Sequence, residues 1–302
     1  MNGRRGWAAS VAITVAALAT PVAAQAASAT PRPSLSAMAL QAADLPSGAV
    51  VTAQGFEPDP GFVAEYARAF VVVDGRIGRS TPLVVDSTVG LTDSADAAAG
   101  KLAGLRGKLR TAAQRRAYAR GLAKQLGTPG GVRVGPLRTL HAGATGFAVQ
   151  ASIRMREGSF QVVEGVVAVD RVLTWLVVVS APGKRVLVAD VATLVAAVAG
   201  HTRQALLPRA TAAPSIAGAA QAGQTVTAGP GAWSAATAPT GYAYQWQRCD
   251  PTGAACSPIP GATEPAYTLT PADAGATIRV EVTASNAVGA STALSALTAP
   301  VA

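Results

Sequence analysis

Side chains able to do chemistry are few in this sequence. There are two histidines, His141 and His201. His141 falls in a Gly-rich connection. His201 is read as following the last helix, where an imidazole suits the helix dipole and needs no catalytic role. Glu65 and Asp86 are the carboxylates that could pair as acid and base in a cleft; as solvated groups they need no such role. No Gly-x-Ser-x-Gly, His-Glu-x-x-His, phosphate-binding glycine loop or calcium loop occurs. The residues therefore imply no enzyme, no cofactor and no metal.

Cys249 and Cys256 are the two cysteines, with a turn signal between them at Asp250-Pro251-Thr252-Gly253. Their spacing is not Cys-x-x-Cys, and two thiolates do not fill a zinc site. A disulfide closing one short loop is the expected state if the chain is exported.

The strongest chemical signal is charge. From Ala97 to Arg156 there are twelve basic residues and no acid, in a chain of net charge +9. Arg116, Arg120 and Lys124 recur every fourth residue, and Lys101, Lys108 and Arg115 every seventh. Like charges four apart on a helix repel by a few tenths of a kcal/mol, so such a stripe is a candidate surface for an anionic wall polymer or lipid headgroups. The plain alternative is a solvated helix face in an Arg-rich proteome, since the chain has 21 Arg to 4 Lys. Nucleic acid is not expected, because no binding fold for it is evident.

These residues must be positioned by two domains in 302 residues. Half of the sequence is hydrophobic and 14% charged, which excludes a disordered chain. Residues 1–26 read as a signal peptide. Arg4 and Arg5 start it, Ala8 to Ala19 is apolar, and Ala24-Gln25-Ala26 supplies the small residues of a cleavage site. The arginine pair leaves the Sec and twin-arginine routes both open. The apolar runs after it are interrupted by charge, so no transmembrane segment is expected once the leader is removed. Residues 27–33 read as a flexible segment, and the location as secreted or cell envelope.

Residues 34–206 read as an α+β domain. Ser34 or Ser36 caps a short helix. Strands follow at Ala49–Ala53, Tyr66–Val73 and Leu83–Leu91, with a turn at Asp74-Gly75. Asp93 to Gly127 is helical, with Asp93 and Asp96 as an acidic cap. Leu102, Leu105 and Leu109 share one face; Tyr118, Leu122 and Leu126 share another, rotated by about 220° at 3.6 residues per turn. One straight helix cannot bury both, so a break is expected near Gly107 to Thr111. Three strands follow, around residues 147–156, 161–169 and 172–180. A helix over Lys184–Arg203 ends the domain. The order α-β-β-β-α-β-β-β-α predicts an antiparallel sheet with packed helices. Asp44-Leu45-Pro46-Ser47-Gly48, then Tyr66-Ala67-Arg68-Ala69-Phe70, then hairpins and a closing helix, loosely resembles small envelope domains of actinobacteria of the PsbP-like or LpqN-like class.

Residues 207–213 read as a Pro/Ala linker. Residues 214–302 read as an all-β sandwich, because short alternating strands such as Tyr242–Cys249 and Thr277–Ala284 recur between turn signals. The segment with Gly231-Ala232-Trp233, Tyr244-Gln245-Trp246-Gln247-Arg248-Cys249, Ile259-Pro260-Gly261-Ala262-Thr263, Asp273-Ala274-Gly275 and Thr283-Ala284-Ser285-Asn286 resembles the bacterial immunoglobulin-like repeat. The resemblance implies an immunoglobulin-like fold used as spacer or adhesion module, with Trp246 buried. Thr277 stands where the family's corner Tyr would be.

The sequence thus predicts an exported, non-catalytic envelope or secreted protein. Its α+β domain binds a partner and its immunoglobulin-like domain serves as spacer or adhesion module. An exported enzyme with an accessory domain is the alternative. A purely structural surface stalk is a third reading.

Overall fold

Three β-rich runs separated by Gly and Pro begin the fold. β1 (Ala49–Glu57), β2 (Ala64–Val72) and β3 (Pro82–Leu91) form an antiparallel meander. The computed structural model describes residues 33–302 except 58, 60, 74, 129, 130, 142–144 and 157. The expected leader at 1–26, most of the segment 27–33, and Asp74 of the expected turn lie outside the described residues. β1 continues past Ala53 to Glu57, which the sequence reading missed; a β-bulge between Val51 and Ala53 interrupts its periodicity. The preceding short helix, α1 (Leu35–Met38), has Ser34 at its N-cap, but that hydroxyl bonds the Ser36 hydroxyl rather than the helix backbone.

The long helical stretch divides into α2 (Ala95–Leu109) and α3 (Ala112–Gln125). Ser94, rather than Asp93, caps α2, accepting from the Ala97 N–H at 3.1 Å. The break falls at Thr111, which starts a reciprocal capping box with Gln114: the Thr111 hydroxyl accepts from the Gln114 N–H, and the Gln114 side chain accepts from the Thr111 N–H. The two helices can therefore present Leu102 and Leu109, and Ala119 and Leu122, to the same sheet.

β4 (Val132–Val134) and β5 (Arg138–His141) come next and were not predicted; they are too short to show alternation. They lie end to end along β6 (Thr145–Met155), which pairs with β7 (Gly158–Val169), which pairs with β8 (Val172–Ser180). Asp170 turns the β7–β8 hairpin at a φ of 50°, a left-handed position that Asp tolerates. β8 then pairs with β3, and the sheet runs β1-β2-β3-β8-β7-β6, with β4 and β5 outside β6. Every pair is antiparallel. The closing helix, α4 (Val188–Leu206), is shifted by a few residues from its expected span, and His201 lies inside it rather than after it.

Helices cover both faces. α2 and α3 bury Leu102, Leu109, Ala119, Leu122 and Ala123 with Phe147, Val149, Ile153, Phe160, Val162 and Val166 on one face. On the other face α4 packs so closely that a Cβ on Gly165 would meet Val195 at 2.6 Å. This is why β7 and β8 are apolar on both sides. The α4 start is tied down by Asp190, whose carboxylate accepts from the Ser80 hydroxyl at 2.7 Å and the Arg79 N–H at 3.0 Å.

A second unit covers residues 206–302. Its strands are β9 (Ala210–Ala212), β10 (Ser215–Ala217), β11 (Thr225–Gly229), β12 (Ala232–Trp233), β13 (Gly241–Cys249), β14 (Cys256–Pro258), β15 (Ala266–Thr268), β16 (Thr277–Ser285) and β17 (Ala290–Leu294). They form sheets β10-β11-β15, β12-β9 and β14-β13-β16-β17. The stretch 207–213, read as a linker, therefore carries a strand paired with β12. Val226, Trp246, Leu269, Ile278, Val280 and Val282 form one core. The Trp246 indole donates to the Glu264 carbonyl at 2.9 Å.

Asp273 is fully buried and saturated with partners. It accepts from the Arg248 Nε at 2.7 Å, the Tyr267 hydroxyl at 2.8 Å, and the Thr270 N–H and hydroxyl, both at 2.7 Å. Burial alone would raise its pKa, but the bonds from Thr270, Tyr267 and Arg248 outweigh burial and hold it below the usual Asp value. Thr277 donates to the Asp250 carbonyl at 2.9 Å. Cys249 and Cys256 form a disulfide directly across the β13–β14 register, closing one hairpin within one sheet. The intervening turn is also held by Asp250, whose carboxylate accepts from Thr252, Ala254 and Ala255.

Candidate functional site

A cleft of about 290 Å³ opens between α3 and β4. Ala119, Ala123, Val132 and Val134 supply its apolar lining, and Arg115, Arg116, Arg120 and Arg133 its cationic lining. The helical residues follow from α3's phase. Ala119 and Ala123 are buried toward the sheet, and Arg116 and Arg120 are the exposed residues beside them. Arg115 also has a local task. Its guanidinium donates to the Leu109 and Arg110 carbonyls at 3.2 and 3.0 Å, satisfying the end of α2. Among the described residues, none of the four arginines forms an ion pair with a carboxylate. Charge therefore accumulates here without internal neutralisation, beside apolar surface that weakens screening.

The other basic candidates go elsewhere. Lys101 sits on α2 with its ammonium 4.5 Å from the centre of the Phe62 ring. That ring lies edge-on to Trp175 at 5.3 Å, over Gly90, where a Cβ would strike it. Lys108 and Lys124 are exposed on their helices and do not line the cleft. The expected six-residue stripe thus becomes a three-arginine group on α3. Arg133 joins it from a strand that has no periodicity to reveal it.

Glu65 and Asp86 do not come together as a pair, and Glu65 is buried rather than solvated as expected. Glu65 stands opposite Gly90, and Asp86 opposite Ala69. They share a sheet face but lie four residues apart along the ladder, about 13 Å at the strand rise. Asp86 instead falls in the same cross-sheet row as Glu164, on either side of Val177 of β8. Glu164 interrupts the apolar run of β7. Its even-numbered position beside Val162 and Val166 was the available signal. Burial pushes its carboxyl pKa up to about 7. Tyr118 of α3 is held well above the usual phenol value, first by burial and then by the charge of Glu164. The histidines serve structure or solvent. His141 is exposed at the end of β5, and the His201 Nε2 lies 3.5 Å from the Asp44 carboxylate.

No family model matches the chain, and no curated protein matches it. Among solved structures the chain is similar to the extracellular domain of PknH from Mycobacterium tuberculosis. That match has 10% identity and a TM-score of 0.35, covering 61% of this chain and 99% of that one. A likeness of that degree transfers nothing to this protein. Among the described residues, no helix is long and apolar enough to cross a membrane.

Proposed function

We propose that this chain is an exported envelope or secreted protein whose α+β unit binds an anionic component of the cell envelope in the α3–β4 cleft. In this reading the protein acts by binding and not by catalysis. The C-terminal unit is an immunoglobulin-like sandwich that serves as spacer or adhesion module. The observation that carries the reading is the cleft itself: four arginines from two elements, no described carboxylate partner, and an apolar floor of Ala119, Ala123, Val132 and Val134. A guanidinium matches phosphate and carboxylate bidentately. The floor favours a ligand with an apolar body beside its charge, so lipid headgroups suit the cleft better than a bare polymer. The disulfide fits an oxidising compartment.

The test is retention of the mature chain on vesicles with and without phosphatidylglycerol, and on purified cell wall, at low and high salt. Each cation near an anionic surface contributes about 1 kcal/mol. Arg116→Glu with Arg120→Glu is therefore expected to weaken retention on anionic vesicles by on the order of 100-fold or more, while neutral vesicles show none. Equal retention of wild type and variant would remove the reading.

A further inference from the structure

The β4–β6 end of the first sheet presents a polar, cationic face to solvent. Side chains of directly opposed residues lie on the same side of a sheet. The pairs here are Arg138 with Ala148, Arg133 with Ser152, Ser152 with Gln161, and Arg154 with Ser159. All of them fall on the α4 side, because Ala148 also stands opposite Gly165, over which α4 packs. Around Ser152 that side is open. Ser152, Gln150 and Gln161 are half-buried, and Ser159, Arg133, Arg138 and Arg154 are exposed.

Four cations frame this face. Arg138, opposite Ala148, and Arg154 are separated along β6 by about 20 Å at the strand rise, with Arg133 between them. Lys184 comes from the connection between β8 and α4. There the Gly183 N–H donates to the Ser159 carbonyl at 2.8 Å, which brings the exposed Lys184 alongside. Among the described residues, none of the four cations forms an ion pair. The floor between them is fixed. The Gln150 amide donates to the Gln161 side-chain oxygen at 3.2 Å and to the Val186 carbonyl at 3.0 Å. The Gln161 amide N–H groups are thereby left without a partner among the described residues.

We propose that this face docks an anionic polysaccharide, which lies along the sheet edge with its acidic groups on Arg138, Arg133, Arg154 and Lys184 and its hydroxyls on Ser152 and Gln161. Three features select that partner. The cations are unneutralised and strung out over a length that suits a chain of charges, whose separate weak contacts reinforce one another through effective concentration. The floor offers hydroxyl and amide groups, the partners a sugar hydroxyl needs. Large apolar side chains are absent from it. Among the described residues of the first unit, the exposed ones are Val50, Val51, Phe56, Val63 and Val73, all at the β1–β2 end. A lipid surface calls for apolar side chains to insert, and a single-stranded nucleic acid for aromatic rings on which bases stack. The α3 cleft is a different site, because its floor is apolar; Arg133, on the outermost strand, borders both.

The test is a titration of fluorescently labelled polygalacturonate with the mature full-length chain, read by anisotropy at low and high salt. Wild type is expected to bind polygalacturonate, more weakly as salt rises, and not to bind neutral dextran. Arg154→Glu with Lys184→Glu should weaken binding by on the order of tenfold or more. The melting temperature should not change, since both side chains are exposed. Arg116→Glu with Arg120→Glu removes the same charge from the α3 cleft and should bind nearly as wild type does. Polyglutamate, with carboxylates and no hydroxyls, should bind less tightly than polygalacturonate. No binding of wild type to polygalacturonate at low salt overturns the proposal. So does an equal loss in the two double variants, which would assign the effect to net charge. Polyglutamate binding as tightly as polygalacturonate overturns it as well.

Discussion

Glu164 makes the first unit sensitive to pH in a direction opposite to most carboxylates. It lies in β7 beneath α2 and α3, with Val162 and Val166 on the same face. Burial raises its pKa from 4.5 in the unfolded chain to about 7 in the fold. A group raised in this way contributes its full stability below pH 4.5. That contribution is lost as pH rises through the folded value, because the folded state then holds an ionised carboxyl away from water. At 1.36 kcal/mol per pKa unit the swing is about 3 kcal/mol. The residue keeps some contact with solvent, which makes this figure a ceiling. The perturbation is Glu164→Gln, a neutral side chain of the same shape. Urea unfolding of wild type and variant between pH 4 and pH 8.5, read by amide exchange in β7 and β8, isolates this unit. Other titrating groups cancel in the difference. The two proteins should be equally stable near pH 4, and the variant should gain up to about 3 kcal/mol by pH 8. A difference that does not change with pH, or a wild type that is the more stable above pH 7, would refute the argument from burial.

In the second unit, Asp273→Ala should lower stability by about 3 kcal/mol, the lower end for a broken buried ion pair because Arg248 reaches solvent. Denaturant titration of that unit, followed by Trp246 fluorescence, measures it. Because Asp273 is held below its ordinary pKa, its stabilisation persists above the usual Asp range and is lost as pH falls through the lower folded value. An acid titration of the same signal should show this loss in wild type and not in the alanine variant. Replacing Cys249 and Cys256 with Ser should cost about 2 kcal/mol by the loop-entropy argument for so short a loop, read as a lower melting temperature of the same unit. The hairpin should persist, because Asp250 holds its turn independently.

The parts legible in the sequence were those with their own periodicity. The leucine phase between Leu109 and Leu122 demanded a helix break, and Thr111 with Gln114 supplies it. The apolar runs of β7 and β8 demanded cover on both faces, and α2, α3 and α4 provide it. What depended on register was not legible. Glu65 and Asp86 are 21 positions apart, and only the β2–β3 ladder shows that they lie far apart on one face. Arg133 stands in a three-residue strand, too short for a pattern, so its approach to Arg116 and Arg120 came from packing alone. Helical phase located Arg116 and Arg120, but the sevenfold series of Lys101, Lys108 and Arg115 spans the helix break and so shares no continuous face.

The β3–β8 ladder joins residues 82–91 to residues 172–180. β3 closes the part β1–β3 and β8 the part made of β4 to β8, and the facing edges of β3 and β8 stay unpaired until both parts exist. As the chain leaves a ribosome or a translocation channel, β3 must wait for nearly a hundred further residues with Val84, Val85 and Val89 uncovered. High contact order of this kind slows folding and lengthens exposure to aggregation. The fold thus favours a pathway in which the local hairpins on each side form first and the β3–β8 seam closes only after residue 180 has emerged.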